Sequence, residues 1–222
     1  MRTLLCTLGL ASTLTFGLAF AAELKTEEEK TLYALGAAVA RNVSEFQLSE
    51  SELKVVQAGF ADEALGKPTQ IEPSEYFPQI RALQTTRVAA AAAVQKKAGD
   101  EFLAKAAAEK GAVKTTSGLV IKELRPGKGA SPKPENTVEV QYHGTLIDGT
   151  VFDSSLKNKE PVTFQLDGVI PCWTEGLQLM KVGGKSRLVC PASIAYGERG
   201  APPSIKPNST LIFEVELLAI VK

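Results

Sequence analysis

Aromatic residues are scarce in this chain, making up 6% of its 222 residues, and tryptophan occurs only once. Histidine also occurs only once, so a Ser/His or Cys/His nucleophilic unit would have to be built from His143 alone. No paired carboxylates stand out and no phosphate-cradling loop is present; "KVGGK" reads as a turn between a helix and a strand. Hydrolysis and phosphoryl transfer therefore find no support. An excess of either charge is missing too, with 25 Lys and Arg against 25 Asp and Glu. No long-range field points to nucleic acid or an anionic membrane, and a neutral partner is the natural expectation. Cysteine is limited to Cys6, Cys172 and Cys190, with no His or Cys pair alongside, which does not read as a zinc site. Neither a metal nor a cofactor is expected.

One apolar run stands at the start. Arg2 precedes Leu4 to Leu18, and Ala19-Phe20-Ala21 then forms a small-x-small signature after which a signal peptidase would cut, leaving Ala22 first. The run is short, carries Thr and Ser and is followed at once by acidic residues, which argues against a membrane anchor. Residues 1–21 are thus expected to be a signal peptide that carries Cys6 away, and the chain to be exported to a periplasm or the outer cell surface. In an oxidising compartment Cys172 and Cys190 could form a disulfide or remain two buried thiols, and both readings stay open.

Composition changes near Gly111, from Ala, Glu, Lys and Leu to short alternating runs of Val, Ile, Thr, Gly and Pro. In the first part Thr26 with Glu29 forms a capping-box pattern, followed by Leu32, Leu35, Val39 and Val43 at helical spacing. Ser49 with Glu52 opens a second helix, with Leu53, Val56 and Phe60 on one face and Gly66 and Pro68 at its close. From Ser74 or Pro78 to Lys110 only Gly99 interrupts, which predicts a helix of about 33 residues, roughly 50 Å long. Such a helix reads as a spacer holding two halves apart. Two short helices and the base of a long one enclose too little core to stand alone, so residues 22–73 are expected to form a homodimer whose apolar stripes interlock. Residues 74–111 are the linker helix.

Residues 112–222 read as strands: 118–124, 137–147, 151–153, 161–166, 185–190 and 210–221, with Asp148-Gly149 as a hairpin signal. One short helix near Trp173 to Lys181 interrupts them. The fold class is therefore α+β: an all-helical dimerisation region, a long spacer helix, and an antiparallel sheet curved over a single helix.

Tyr142, Phe152, Phe164, Val169, Ile170, Trp173, Tyr196 and Phe213 fall at inward-facing positions or beside the helix start, and Asp153 follows Phe152. Ordinary core would look like this. So would a deep apolar site with a few polar groups at its rim, which small-molecule or peptide recognition needs.

The segments "VQYHGTLIDGTVFDSS", "PVTFQLDGVIPCWTEGLQLMKVGGKSRLVCP", "IAYGERGAPP" and "STLIFEVELL" together resemble the FKBP-type peptidyl-prolyl cis/trans isomerases over nearly all of residues 137–221. In the first half, "TLYALGAAVAR" and "AAAEKGAVKT" are similar to the exported dimeric subgroup typified by the macrophage infectivity potentiator. The resemblance implies that Tyr142, Phe152, Phe164, Val169, Ile170, Trp173 and Phe213 line an apolar pocket with Trp173 as its floor. It also implies that the Ile170 backbone N–H and the Tyr196 hydroxyl bond substrate carbonyls, and that Asp153 orients the polar edge. Partners would be proline-containing unfolded or exported polypeptides, with macrolides as candidate inhibitors. A holdase chaperone, or a module binding proline-containing surfaces with little turnover, is the alternative. Three departures bear on specificity: Cys172 stands where many members have Gly, Ala201 replaces a position that is His in some, and Ser204 occupies a site that is often apolar.

Overall fold

The computed structural model describes residues 24–157 and 160–221; the expected signal peptide lies outside them. The chain divides into two compact units, one ending at Asn42 and the other running from Val43. In the first unit, helix α1 (Glu27–Arg41) begins with the anticipated capping box. Thr26 Oγ1 accepts from the Glu29 N–H at 3.1 Å, and the Glu29 carboxylate accepts from the Thr26 N–H at 2.9 Å. No residue of α1 is buried, and Leu32 and Leu35 are about three-fifths exposed (59% and 61%).

The second unit opens with a 3-10 turn (Ser44–Phe46) and helix α2 (Glu50–Ala64), whose Ser49 and Glu52 again close a capping box. A further 3-10 turn (Pro73–Tyr76) leads into helix α3 (Phe77–Ala107, 31 residues), which carries Pro78 in its first turn, where the missing N–H costs no hydrogen bond. Arg87 of α3 donates to the Phe46 carbonyl at 2.8 Å and forms an ion pair with Glu52, so one guanidinium pins the head of α2 to the long helix. That contact, with the Ser49 N–H second, holds the Glu52 carboxyl down to about 2.

The long helix is present, but its final turns are not a free spacer. Gly99, Leu103 and Ala106 are buried, and Leu103 and Ala106 pack with Val120 and Val189. A Cβ at Gly99 would lie 2.3 Å from Thr210 Oγ1, so glycine here permits close approach to the sheet rather than a change of backbone direction. Beyond the helix, Glu109 takes Lys122 on one carboxylate oxygen at 2.8 Å and Arg187 on the other at 2.5 Å.

Among the described residues seven strands follow: β1 (Ala112–Lys114), β2 (Val120–Arg125), β3 (Thr137–Leu146), β4 (Val151–Ser154), β5 (Val162–Gln165), β6 (Lys185–Cys190) and β7 (Leu211–Val221). They form one antiparallel sheet in the order β1-β2-β6-β7-β3-β4, with β5 pairing β3. β1 was not expected, since three residues are too few to show a period of two. Helix α4 (Pro171–Gln178) lies against one face. Strand alternation explains the core: Val138, Val140 and Tyr142 of β3 and Leu211, Phe213, Val215 and Leu217 of β7 are buried, while their neighbours are less so. Where β2 and β6 cross under α3, alternation fails because both faces are covered. Leu188 and Cys190 join the α4 side, Val189 the α3 side.

Candidate functional site

Trp173 is the third residue of α4 and only 5% exposed. Three rings meet its indole nearly at right angles: Tyr142 at 5.0 Å and 85°, Phe213 at 5.4 Å and 81°, and Phe164 at 5.5 Å and 86°. Phe152 extends the set by an edge contact to Phe213 at 5.4 Å. Edge-to-face pairing aligns the positive rim of one ring with the negative face of another, and each pair contributes about 0.5–1.5 kcal/mol beyond area burial. Phe152, Phe164, Val169 and Ile170 are only half-buried around this centre. The indole, Tyr142 and Phe213 form the covered base of the group, and Phe152, Phe164, Val169 and Ile170 around them retain an exposed edge.

Each ring comes from a different element. Tyr142 and Phe213 face each other's neighbours across the β3–β7 ladder, where Tyr142 pairs Val215 and Gly144 pairs Phe213. Phe164 comes from β5 and Phe152 from β4, and Val169 and Ile170 form the entry to α4. Gly144 makes room for this cluster, since a Cβ there would lie 2.8 Å from Phe152 Cζ.

Polar groups stand at the edge. The Tyr142 hydroxyl donates to Asp153 Oδ2 at 2.6 Å, while Asp153 Oδ1 accepts the Ser154 N–H at 2.9 Å. Asp153 is exposed, so its carboxylate is tethered on one side and meets water on the other. Burial, reinforced by the hydrogen bond to Asp153, pushes the Tyr142 phenol far above its ordinary range, and it remains a donor at any working pH. Tyr196 is 40% exposed and has no ring contact with the cluster. Trp173 Nε1 is buried without a hydrogen-bond partner among the described residues. An unpaired buried donor costs about 1–3 kcal/mol, and such groups concentrate where function requires them.

Ser155 escaped the sequence reading. It is buried, its Oγ accepts the Tyr142 N–H at 2.9 Å and donates to the Tyr142 carbonyl at 3.3 Å, and so it fixes the backbone that carries the Tyr142 ring. The second serine of "FDSS" carries no local signal for that contact, which joins residues 13 apart. His143 is partly exposed, and its Nδ1 lies 3.0 Å from Ser154 Oγ, away from the ring cluster. Of the two readings left open for the cysteines, the structure has Cys172 and Cys190 joined as a disulfide, both fully buried.

The arrangement offers an apolar aromatic base, one oriented carboxylate and no nucleophile among the grouped side chains. Binding and reshaping a neutral segment is the chemistry it can perform. Residues 128–218 match the family described as FKBP-type peptidyl-prolyl cis-trans isomerase, and residues 28–122 match the domain amino terminal to it. FkpA of Escherichia coli K12 is 40% identical over 211 residues, covering 90% of this chain and 78% of its own. The outer membrane protein MIP of Legionella longbeachae is 36% identical over 222 residues, covering 97% and 95%. The crystal structure of E. coli FkpA superposes with a TM-score of 0.67 at 38% identity, covering 89% of this chain and 98% of that one. That of a Pseudomonas syringae peptidyl-prolyl cis-trans isomerase gives 0.55 at 42%, covering 58% and 95%.

Proposed function

The chain belongs to the FKBP-type peptidyl-prolyl cis-trans isomerases, and from that premise we propose that it isomerises X-Pro bonds of exported polypeptides at the cluster around Trp173. The observation that carries the assignment of the site is the indole base with three rings set edge-on around it. An X-Pro bond rotates over tens to hundreds of seconds because twisting it sacrifices amide resonance, a barrier of about 18–20 kcal/mol. The planar amide is more polar than the twisted one. A dry aromatic surface under the prolyl ring therefore disfavours the ground state relative to the transition state, and hydrogen bonds from the Ile170 N–H and the Tyr196 hydroxyl, fitted to the twisted geometry, would add to this. Asp153, tethered by Tyr142, fixes the polar edge.

The chain acts as a homodimer through residues 22–73. The apolar faces of α1 and α2 support this, since neither helix buries a residue within the chain and Leu32, Leu35 and Phe60 are each more than half exposed. An exposed apolar stripe of this kind on each helix marks an interface. Two isomerase domains on one dimer would hold an unfolded client at two points and raise avidity by effective concentration, the basis of a chaperone role. Export is supported by the expected leader and by a buried disulfide, which persists in oxidising compartments.

Protease-coupled turnover of a proline tetrapeptide tests the assignment. Tyr196→Phe and Asp153→Leu should slow it while leaving suppression of aggregation nearly unchanged; a wild type with no turnover defeats the proposal. A chain beginning at residue 95 keeps the seam at Gly99, Leu103 and Ala106. It should be an active monomer with poor action on whole proteins, and a dimer on sedimentation would overturn the role given to the helices.

A further inference from the structure

Three groups of the proposed site reach it on two separate stretches of chain: the Ile170 N–H and the Trp173 indole on one, the Tyr196 hydroxyl on the other. Helix α4, which carries the first pair, is eight residues long and has no side-chain cap at its N-terminus. Its first turn is held instead by a covalent link. Cys172 precedes Trp173 directly and bonds Cys190, the last residue of β6, with Cα atoms 5.8 Å apart, within the span a disulfide requires. One turn later Gly176 lies so close to Leu188 that an added Cβ would be 2.8 Å from Leu188 Cδ1. Residues four apart on a helix therefore sit over residues two apart on a strand, a match of about 6 Å in both elements. Past Cys190 the chain enters a single 3-10 turn (Ala192–Ile194) and arrives at Tyr196.

We propose that the Cys172–Cys190 disulfide is a positioning link for the isomerase site, setting the distance from the indole base and the Ile170 N–H to the Tyr196 hydroxyl. It rests on the assignment of the site made above. Cys172 and Trp173 are successive helical residues, so one faces β6 and the next faces the rings. Rotating the first turn of α4 to release Cys172 swings the indole by the same angle. Gly176 on Leu188 and the Glu175 carboxylate, which accepts from the Ser117 hydroxyl at 2.5 Å, hold the second turn, while the three rings press on the indole itself; the disulfide is the covalent hold on the first turn. The Thr174 hydroxyl, which donates to the Leu166 carbonyl at 2.7 Å, ties the helix only to the chain just before it.

Three forms of the mature chain are compared well below the melting temperature of each: oxidised wild type, wild type after dithiothreitol with its free thiols counted, and Cys172→Ala/Cys190→Ala. In the reduction one reagent thiolate attacks a cysteine sulfur and expels the other cysteine as thiolate; the second reagent thiolate then attacks the mixed disulfide, expels the first cysteine and closes the reagent's own disulfide. Two electrons pass to the cysteines, which take up two protons from solvent. Misplacing a positioned group by about 1 Å can cost about a hundredfold in rate, so a partial pivot should lower kcat/KM about tenfold, most of it in kcat. Emission from the only tryptophan, which is Trp173, should shift in the reduced and doubly substituted forms, and dithiothreitol should leave the double variant unaltered. A kcat/KM within about twofold of the oxidised enzyme, with a lowered melting temperature alone, would show a stabilising staple and sink the positioning role. If the Ala pair does not fold, Cys172→Ala/Cys190→Val keeps the volume at the strand end; loss of the fold in every unlinked form also overturns the proposal. Oxidised wild type without turnover would instead defeat the assignment of the site itself.

Discussion

Tyr142→Phe removes one hydroxyl and changes no volume, so it isolates the bond that tethers Asp153. The phenol donates to Asp153 Oδ2 at 2.6 Å from a ring that is 8% exposed. A hydrogen bond to a charged group contributes about 1.5–3 kcal/mol when both partners are sheltered. Asp153 is exposed, and water replaces the lost donor, so the lower end applies: about 1–1.5 kcal/mol, a fall in melting temperature of about 4 °C for a domain of this size. The carboxylate keeps only the Ser154 N–H, on its other oxygen, and gains freedom to rotate. If Asp153 stands at the rim of the prolyl site as proposed, kcat/KM for a proline tetrapeptide should drop about tenfold, equivalent to about 1.4 kcal/mol of transition-state stabilisation. Asp153→Asn should cost a similar factor. The decisive quantity is the double variant: because both changes strike the same bond, it should be little slower than either single variant, leaving a coupling of about 1 kcal/mol. Effects that multiply, with coupling under about 0.3 kcal/mol, would show that the tether plays no part in turnover.

Two further outcomes follow from the helical segment. Gly99→Ala should lose stability although alanine favours helix by about 1 kcal/mol, because its Cβ would meet Thr210 Oγ1 at 2.3 Å and overpacking costs about 1–3 kcal/mol; a urea midpoint that rises would contradict the seam, and Thr210→Ala in the same chain should recover much of the loss. The Glu52 carboxyl is lowered from 4.5 to about 2 by Arg87 and the Ser49 N–H. A depressed carboxyl stabilises the fold above its unfolded pKa and loses that contribution as pH falls through the folded one, so the α2–α3 contact should loosen between about pH 4.5 and 2. Amide exchange in α2 as a function of pH reads this directly, and Glu52→Gln should abolish the dependence.

The helix caps were legible in the chain because they are local: Thr26 with Glu29 and Ser49 with Glu52 satisfy N–H groups three residues away, whatever the rest of the molecule does. The strands were legible for a similar reason. A half-buried strand writes its two faces into alternate residues, as β3 and β7 do, whereas β1 is too short to do so and β2 and β6 blur the pattern where α3 covers their second face. The ring set around Trp173 was readable only through the family pattern, since periodicity assigns a residue to a face and says nothing about which faces meet. What tertiary structure alone decided are contacts between residues not local in sequence: Gly99 against Thr210, Ser155 on the Tyr142 backbone, Cys172 on Cys190. Each depends on the angle at which one element crosses another, and that angle is the joint product of all the side chains between them rather than of any stretch that can be read along the chain.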